Sequence, residues 1–216
     1  MARPVDPNLR IELLAAAEAE FCQHGVDATR IDDIVNRAHR SKGAFYQYFQ
    51  SKDHIFRDIV ESMLARLSLI VGKELVTDDK NPPGPAEFFA RWLARDLAIF
   101  EFISANRDVV RLVLSGGYSV AFADLMNAFA RRTYEVILLS LDWGKQQRIY
   151  RRDFDSHLVA VMLAGAYDRL ARELVDSVGD TIDIRRMCIE AQRFVLNGIT
   201  DSPVDNAPPS PRRGRS

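Results

Sequence analysis

Apolar residues recur at helical rather than strand spacing along most of the chain, and that pattern sets the expected elements. Leu13, Ala16, Ala17 and Phe21 stand three and four apart, the spacing of one face of a first helix that begins near Asn8 and ends at Gly25. Thr29 reads as the N-cap of a short second helix with Asp32 and Asp33 near its positive end. Ser41 reads as the cap of a short third helix, and the turn Ala38–His39–Arg40 joins the two. Ile55, Ile59, Met63, Leu67, Ile70 and Val71 line one side of a fourth helix running from Lys52 to about Val76. A linker from Thr77 to Gly84 follows, and Pro85 suits the first turn of a fifth helix from Ala86 to about Arg107.

That fifth helix carries Phe88, Phe89, Trp92, Leu93, Leu97, Ile99, Phe100, Phe102 and Ile103, an apolar face wide enough for burial on most sides. Further helices are predicted over Asp108 to Leu114, stopped by Gly116 and Gly117, and over Ser119 to Trp143, stopped by Gly144. Two more are predicted over Asp153 to Val178, stopped by Gly179, and over Thr181 to Ile199. No stretch alternates as a half-buried strand would, so the fold class is all-α, with about nine helices. The pattern divides the chain into a head (1–51), a helical bundle (52–200) and a tail (201–216) rich in proline and arginine, expected to be disordered.

Composition narrows the function classes. The 216 residues carry a formal net charge of -1, so the protein as a whole is not built to bind a polyanion. Between positions 30 and 52, however, Arg30, Arg37, Arg40, Lys42 and Lys52 face only Asp32 and Asp33. Cys22 and Cys188 have neither zinc-site nor disulfide-framework spacing, which fits a reducing cytoplasm. His24, His39, His54 and His157 form no metal-ligand pair, and no nucleophile elbow, phosphate loop or dinucleotide fingerprint occurs. The expectation is a protein without cofactor or catalytic activity. No window approaches 18 uninterrupted apolar residues, so neither export nor membrane insertion is expected.

Short helix, tight turn and short helix with a basic start is the arrangement of a helix-turn-helix, here at about 30–49, whose second helix enters the DNA major groove. Ser41 and Lys42 sit at that helix N-terminus, where a phosphate or base edge would lie. Gly43 and Ala44 are small enough for close approach, and Gln47 can read a base. Arg30 and Arg40 add exposed cations, Arg40 standing either as a DNA contact or as an exposed arginine on a tolerant turn.

Residues 13 to 56 resemble the N-terminal domain of the tetracycline-repressor (TetR) family of bacterial transcription regulators. The matching positions are Phe21, Gly25, Ala28, Thr29, Asp33, Ile34, Ser41, Lys42, Gly43, Tyr46, Tyr48, Phe49, Ser51 and Lys52. His39 and Arg40 depart from the Gly-Val that the family most often carries in the turn. The resemblance implies that Tyr46, Tyr48 and Lys52 contact phosphate and that Thr29 caps the second helix against the backbone. Phe45 and Phe49 are read as core. It also implies a homodimer through the last two helices. The function expected on these grounds is a ligand-responsive repressor binding a palindromic double-stranded DNA operator. The alternative is a helical small-molecule-binding or metabolic protein whose basic head binds another partner.

In the bundle, Asp96 falls in the middle of an apolar face and needs a partner, either an ion pair such as Arg169 or a role as polar anchor of a ligand pocket. The expected pocket residues are Phe89, Trp92, Asp96, Phe100, Phe122, Met126, Phe129, Met162 and Tyr167, around an unidentified apolar or aromatic effector; Tyr118 adds a further ring. On the eighth helix Leu158, Val159, Met162, Leu163, Ala166 and Leu170 form one face, and Ala160, Val161, Ala164, Gly165, Asp168, Ala171 and Arg172 another. The ninth offers Met187, Cys188, Ala191, Phe194, Val195 and Gly198, and two such helices have packing surface to spare for a partner.

Overall fold

The computed structural model describes residues 7–72, 83–115, 122–177 and 182–200. The helices are α1 (Pro7–His24), α2 (Ile31–Arg37), α3 (Lys42–Tyr46), α4 (Lys52–Val71), α5 (Pro85–Ala105), α6 (Arg107–Ser115), α7 (Ala123–Gln146), α8 (Ser156–Asp176) and α9 (Ile184–Ile199), with no strand among the described residues. The expected linker before Pro83, the Gly116–Gly117 stop, Tyr118, Gly179 and the tail from Asp201 lie outside the described residues.

α1 packs on α2 and on α4, and α3 closes the head. Leu13, Ala17, Phe21, Ile34, Phe45, Phe49 and Ile55 are completely buried together. The same apolar cluster continues along α4 through Ile59, Met63, Leu67 and Val71 to Ile99, Phe100 and Ile103 of α5. One stripe of α4 therefore belongs to the core of the head and to that of the bundle. Arg10 reinforces the junction by pairing with Asp58 at 2.7 Å and lying over the Phe49 ring.

A second cluster gathers Phe88, Phe89 and Trp92 of α5, Ile137, Leu141 and Trp143 of α7, Tyr150 of the following turn, and Leu196 and Ile199 of α9. Here the structure corrects the sequence expectation: Gly144 does not stop α7, which runs on to Gln146. The glycine is needed for close approach, since a Cβ at that position would lie 2.3 Å from the Tyr150 ring. The chain reverses instead at Arg148, which takes a left-handed φ of 58°.

Caps fix the helix starts more narrowly than periodicity does. The Asp155 carboxylate accepts from the backbone N–H of His157 and Leu158, so α8 begins at Ser156 rather than Asp153. Asp183 accepts from Arg186 and opens α9 at Ile184 rather than Thr181. At the far end of α8, Arg107 of α6 donates to the Leu174 carbonyl at 2.8 Å and Arg111 donates to that of Val175 at 3.0 Å. Two cations thus satisfy the exposed carbonyls at the negative end of that helix.

Candidate nucleic-acid interface and ligand cavity

The α2–turn–α3 unit is held by short-range bonds that its sequence supplies. The Arg30 backbone N–H donates to the Asp33 carboxylate at 2.8 Å, and Ser41 Oγ accepts from the Ala44 N–H at 3.2 Å. His39 takes the left-handed conformation at φ 53°, where family members most often carry glycine, while the Arg40 N–H donates to the Val35 carbonyl at 2.8 Å. Histidine tolerates this region better than a β-branched residue would.

Thr29 is not the cap of α2, a role that falls to Arg30. Its hydroxyl turns inward to donate to the Gly25 carbonyl at 2.7 Å, and at 2% exposure it offers no surface to DNA. Lys52 also differs from the expected phosphate contact. Its ammonium donates to the carbonyls of Asp27 at 3.0 Å and Thr29 at 3.1 Å, which fastens the α1–α2 loop to the start of α4. Arg37 is likewise engaged, with the buried Glu20 at 2.5 Å and with Gln23 at 2.8 Å.

The basic count of the segment therefore overstates the cations on offer. Arg30, Arg40 and Lys42 remain exposed, beside Ser41, Gly43, Tyr46 and Gln47. Arg40 pairs with Glu12 at 2.6 Å and Lys42 with Asp32 at 2.9 Å, and Asp32 holds the Lys42 ammonium above its ordinary range. Exposed pairs of this kind are screened by solvent and weakly held, so phosphate can replace the carboxylates at little cost. Tyr46 is 56% exposed and sets its edge on Phe45 at 5.5 Å; Ala44 and Tyr48 are half-buried, and Phe45 and Phe49 are core.

In the bundle, a cavity of about 170 Å³ lies between α4, α5, α6, α7 and α8. Met63, Leu64, Leu67 and Val71 of α4 form one wall, with Val110, Val113 and Leu114 of α6 and Ala171 of α8 around them. Of the residues expected from the sequence, Phe100, Met126, Phe129 and Tyr167 line it. The others are corrected by their packing. Phe89 and Trp92 are buried in the second cluster, and Phe122 sets its edge against Phe56 at 5.1 Å. Met162 faces outward at 71% exposure, because five residues on α8 separate it from Tyr167 by roughly 140° around the helix.

Asp96 is buried just behind the lining and does not pair with Arg169. It accepts from the Tyr167 hydroxyl at 2.6 Å and meets Arg95 Nη2 at 3.3 Å, while exposed Arg169 pairs with Glu173 at 2.6 Å. Trp92 Nε1 donates to the Tyr167 oxygen at 3.1 Å. Burial pushes the Asp96 carboxyl above its ordinary range, against the opposing pull of Arg95 and Tyr167. Burial also raises the Tyr167 phenol, which stays neutral and donates. Among the cavity residues that the sequence reading did not place there are the polar Arg95 and Thr133. The signal for Arg95 was present in the breadth of the α5 apolar face, which leaves even its polar positions buried.

Among the described residues no cluster of metal-binding side chains occurs, and no helix is long and apolar enough to cross a membrane. Residues 13–59 match the family described as bacterial regulatory proteins, tetR family. The chain is 24% identical over 170 residues to the uncharacterized HTH-type transcriptional regulator YdgC of Bacillus subtilis, covering 77% of this chain and 80% of that one. It is 25% identical over 130 residues to the HTH-type transcriptional repressor SCO4008 of Streptomyces coelicolor, covering 60% of each. Its fold is similar to that of PfmR, a TetR family transcriptional regulator from Thermus thermophilus, with TM-score 0.67 and 22% identity over 86% of this chain and 97% of that one.

Proposed function

We propose that this chain, whose residues 13–59 match the tetR family of bacterial regulatory proteins, is a DNA-binding transcriptional regulator that acts in the cytoplasm as a homodimeric, ligand-responsive repressor of a two-fold symmetric operator. The observation that carries this reading is the double attachment of α4. Its first turns are fastened to the head through Lys52 and Asp58, and its last turns form a wall of the cavity. A molecule that favours one position of that wall thereby favours one position of the head. A hundredfold change in operator affinity needs about 2.7 kcal/mol of difference between the two states.

In this reading residues 1–51 read DNA and residues 52–200 sense and dimerise. Arg30, Arg40, Ser41, Lys42, Gly43, Ala44, Tyr46 and Gln47 form the DNA-facing set, with Tyr48 at its edge. Support for the dimer comes from α8 and α9, where Leu158, Val161, Met162 and Phe194 are exposed, Phe194 to 83%. Apolar residues so placed fit a four-helix contact with a second copy.

Light scattering and footprinting test this together. A dimer protecting two half-sites about 10 base pairs or a multiple apart is expected, and a monomer or a single asymmetric half-site would refute it. Arg40→Ala is expected to weaken binding to all sequences alike and to lower the salt slope by about one, whereas Gln47→Ala changes which operators are preferred.

A further inference from the structure

Four polar residues line the otherwise apolar cavity, Arg95, Thr133, Tyr167 and Asp168. The Tyr167 hydroxyl is taken up by Asp96 and Asp168 pairs with Arg172, whereas Arg95 Nε, Arg95 Nη1 and Thr133 Oγ1 are buried with no hydrogen-bond partner among the described residues. Leaving such groups unmatched costs stability, so a protein that keeps them in the wall of an apolar space retains something for them to bind. Arg95 itself is almost wholly buried, and its Nη2 is already taken up by Asp96 and the Tyr167 oxygen. What it still offers are its Nε–H and Nη1–H, which lie on different edges of the planar guanidinium and take separate acceptors.

The charge of the site decides what fits those N–H groups. Asp96 already places a carboxylate beside Arg95 at 3.3 Å. A ligand carboxylate would place a second anion against Asp96 in a low-dielectric interior, where like charges repel strongly. A carbonyl oxygen satisfies one of those N–H groups without adding charge. Size sets the other limit, since about 170 Å³ is close to the volume of an engineered apolar cavity of about 150 Å³ that takes one benzene ring.

We propose that the effector is an uncharged molecule of about one ring, apolar over most of its surface, whose carbonyl-type oxygen accepts a hydrogen bond from Arg95. This rests on the reading of the cavity as a ligand site and adds the class of ligand. Thr133, on the α7 wall, is a second polar point for a further oxygen. The walls that enclose the rest, such as Leu67, Val110 and Phe129, offer contact without hydrogen bonds.

The test is calorimetric titration of the full-length protein with three probes of nearly equal shape, cumene, acetophenone and benzoate, at pH 7.5. Acetophenone is expected to bind at least tenfold more tightly than either of the others. Arg95→Lys keeps a cation beside Asp96 but removes the free guanidinium N–H groups, and it should abolish the preference for acetophenone over cumene. If that variant fails to fold, the double replacement R95M/D96N, which buries no lone charge, serves in its place, and the wild-type series decides on its own. Cumene binding as tightly as acetophenone would overturn the carbonyl proposal and leave the cavity standing as an apolar ligand site. Benzoate binding most tightly would overturn the argument from charge. If no probe binds, the proposal and the ligand reading of the cavity fail together.

Discussion

The two ends of α5 run through the same bundle and are packed in opposite ways. At the N-terminal end Phe88 stacks on Trp143 at 5.1 Å, Phe89 stacks on Tyr150 at 6.3 Å, and Gly144 admits the Tyr150 ring against its backbone. At the C-terminal end Phe100 stacks on Tyr167 at 5.9 Å, yet both rings border open space. Aromatic content is therefore no guide to where a cavity lies. What separates the two ends is whether a neighbouring element comes close enough to fill the volume, and Gly144 makes that approach possible at one end only. The Arg95, Asp96 and Tyr167 network stands at the seam between them.

The largest expected effect breaks the tight end. Gly144→Ala places a methyl group where the buried Tyr150 ring already lies, and overpacking of a rigid site costs about 3 kcal/mol. A urea midpoint within experimental error of wild type would show that Tyr150 can withdraw and that the two ends are alike. At the open end the same kind of enlargement has the opposite sign. Ala171→Leu adds volume beside the cavity and is expected to raise stability by up to about 1 kcal/mol while abolishing probe binding. A loss of stability comparable to that of Gly144→Ala would mean the space is not there to be filled.

The smallest effect is a slope. Because burial raises the folded-state pKa of Asp96, the folded protein holds that proton more tightly than the unfolded chain. Stability from this group is full below the ordinary carboxylate pKa and falls as the pH rises through the raised folded value. The advantage of wild type over Asp96→Asn should therefore shrink as the pH rises from the ordinary carboxylate pKa through the raised one, as read from urea midpoints at a series of pH values. An advantage that grows with pH would show that attraction to Arg95 outweighs burial.

How much of this was legible in the sequence depends on which interactions are local. The head was, because its elements are set by near neighbours: Ser41 caps α3 from three residues away, and Phe45 and Phe49 fall on one side of a single turn. The identity of the helices was legible for the same reason. Gly144 was not, since a glycine that ends a helix and one that admits a neighbouring ring look alike until the neighbour is placed. Thr29 misled similarly, because a threonine before a helix suits a cap and an inward bond to Gly25 equally well. Asp96 announced a need for a partner without naming it. Tyr167 lies 71 residues away, and Arg95, adjacent in sequence, was overlooked because neighbours on a helix usually point in different directions.

The arginine clamp at the end of α8 has a mechanical consequence. Arg107 and Arg111 bond α6 to the last carbonyls of α8, and α6 also packs on α1, whereas α4 carries the opposite wall of the cavity on into the head. A molecule that occupies the cavity would press on that α4 wall as a wedge. α4 is 20 residues long, about 30 Å, with the wedge near one end and the head at the other. A tilt of about 5° over that length carries the far end roughly 2.6 Å, enough to turn a small volume inserted beside Val71 into a shift of α3 across the floor of a DNA groove.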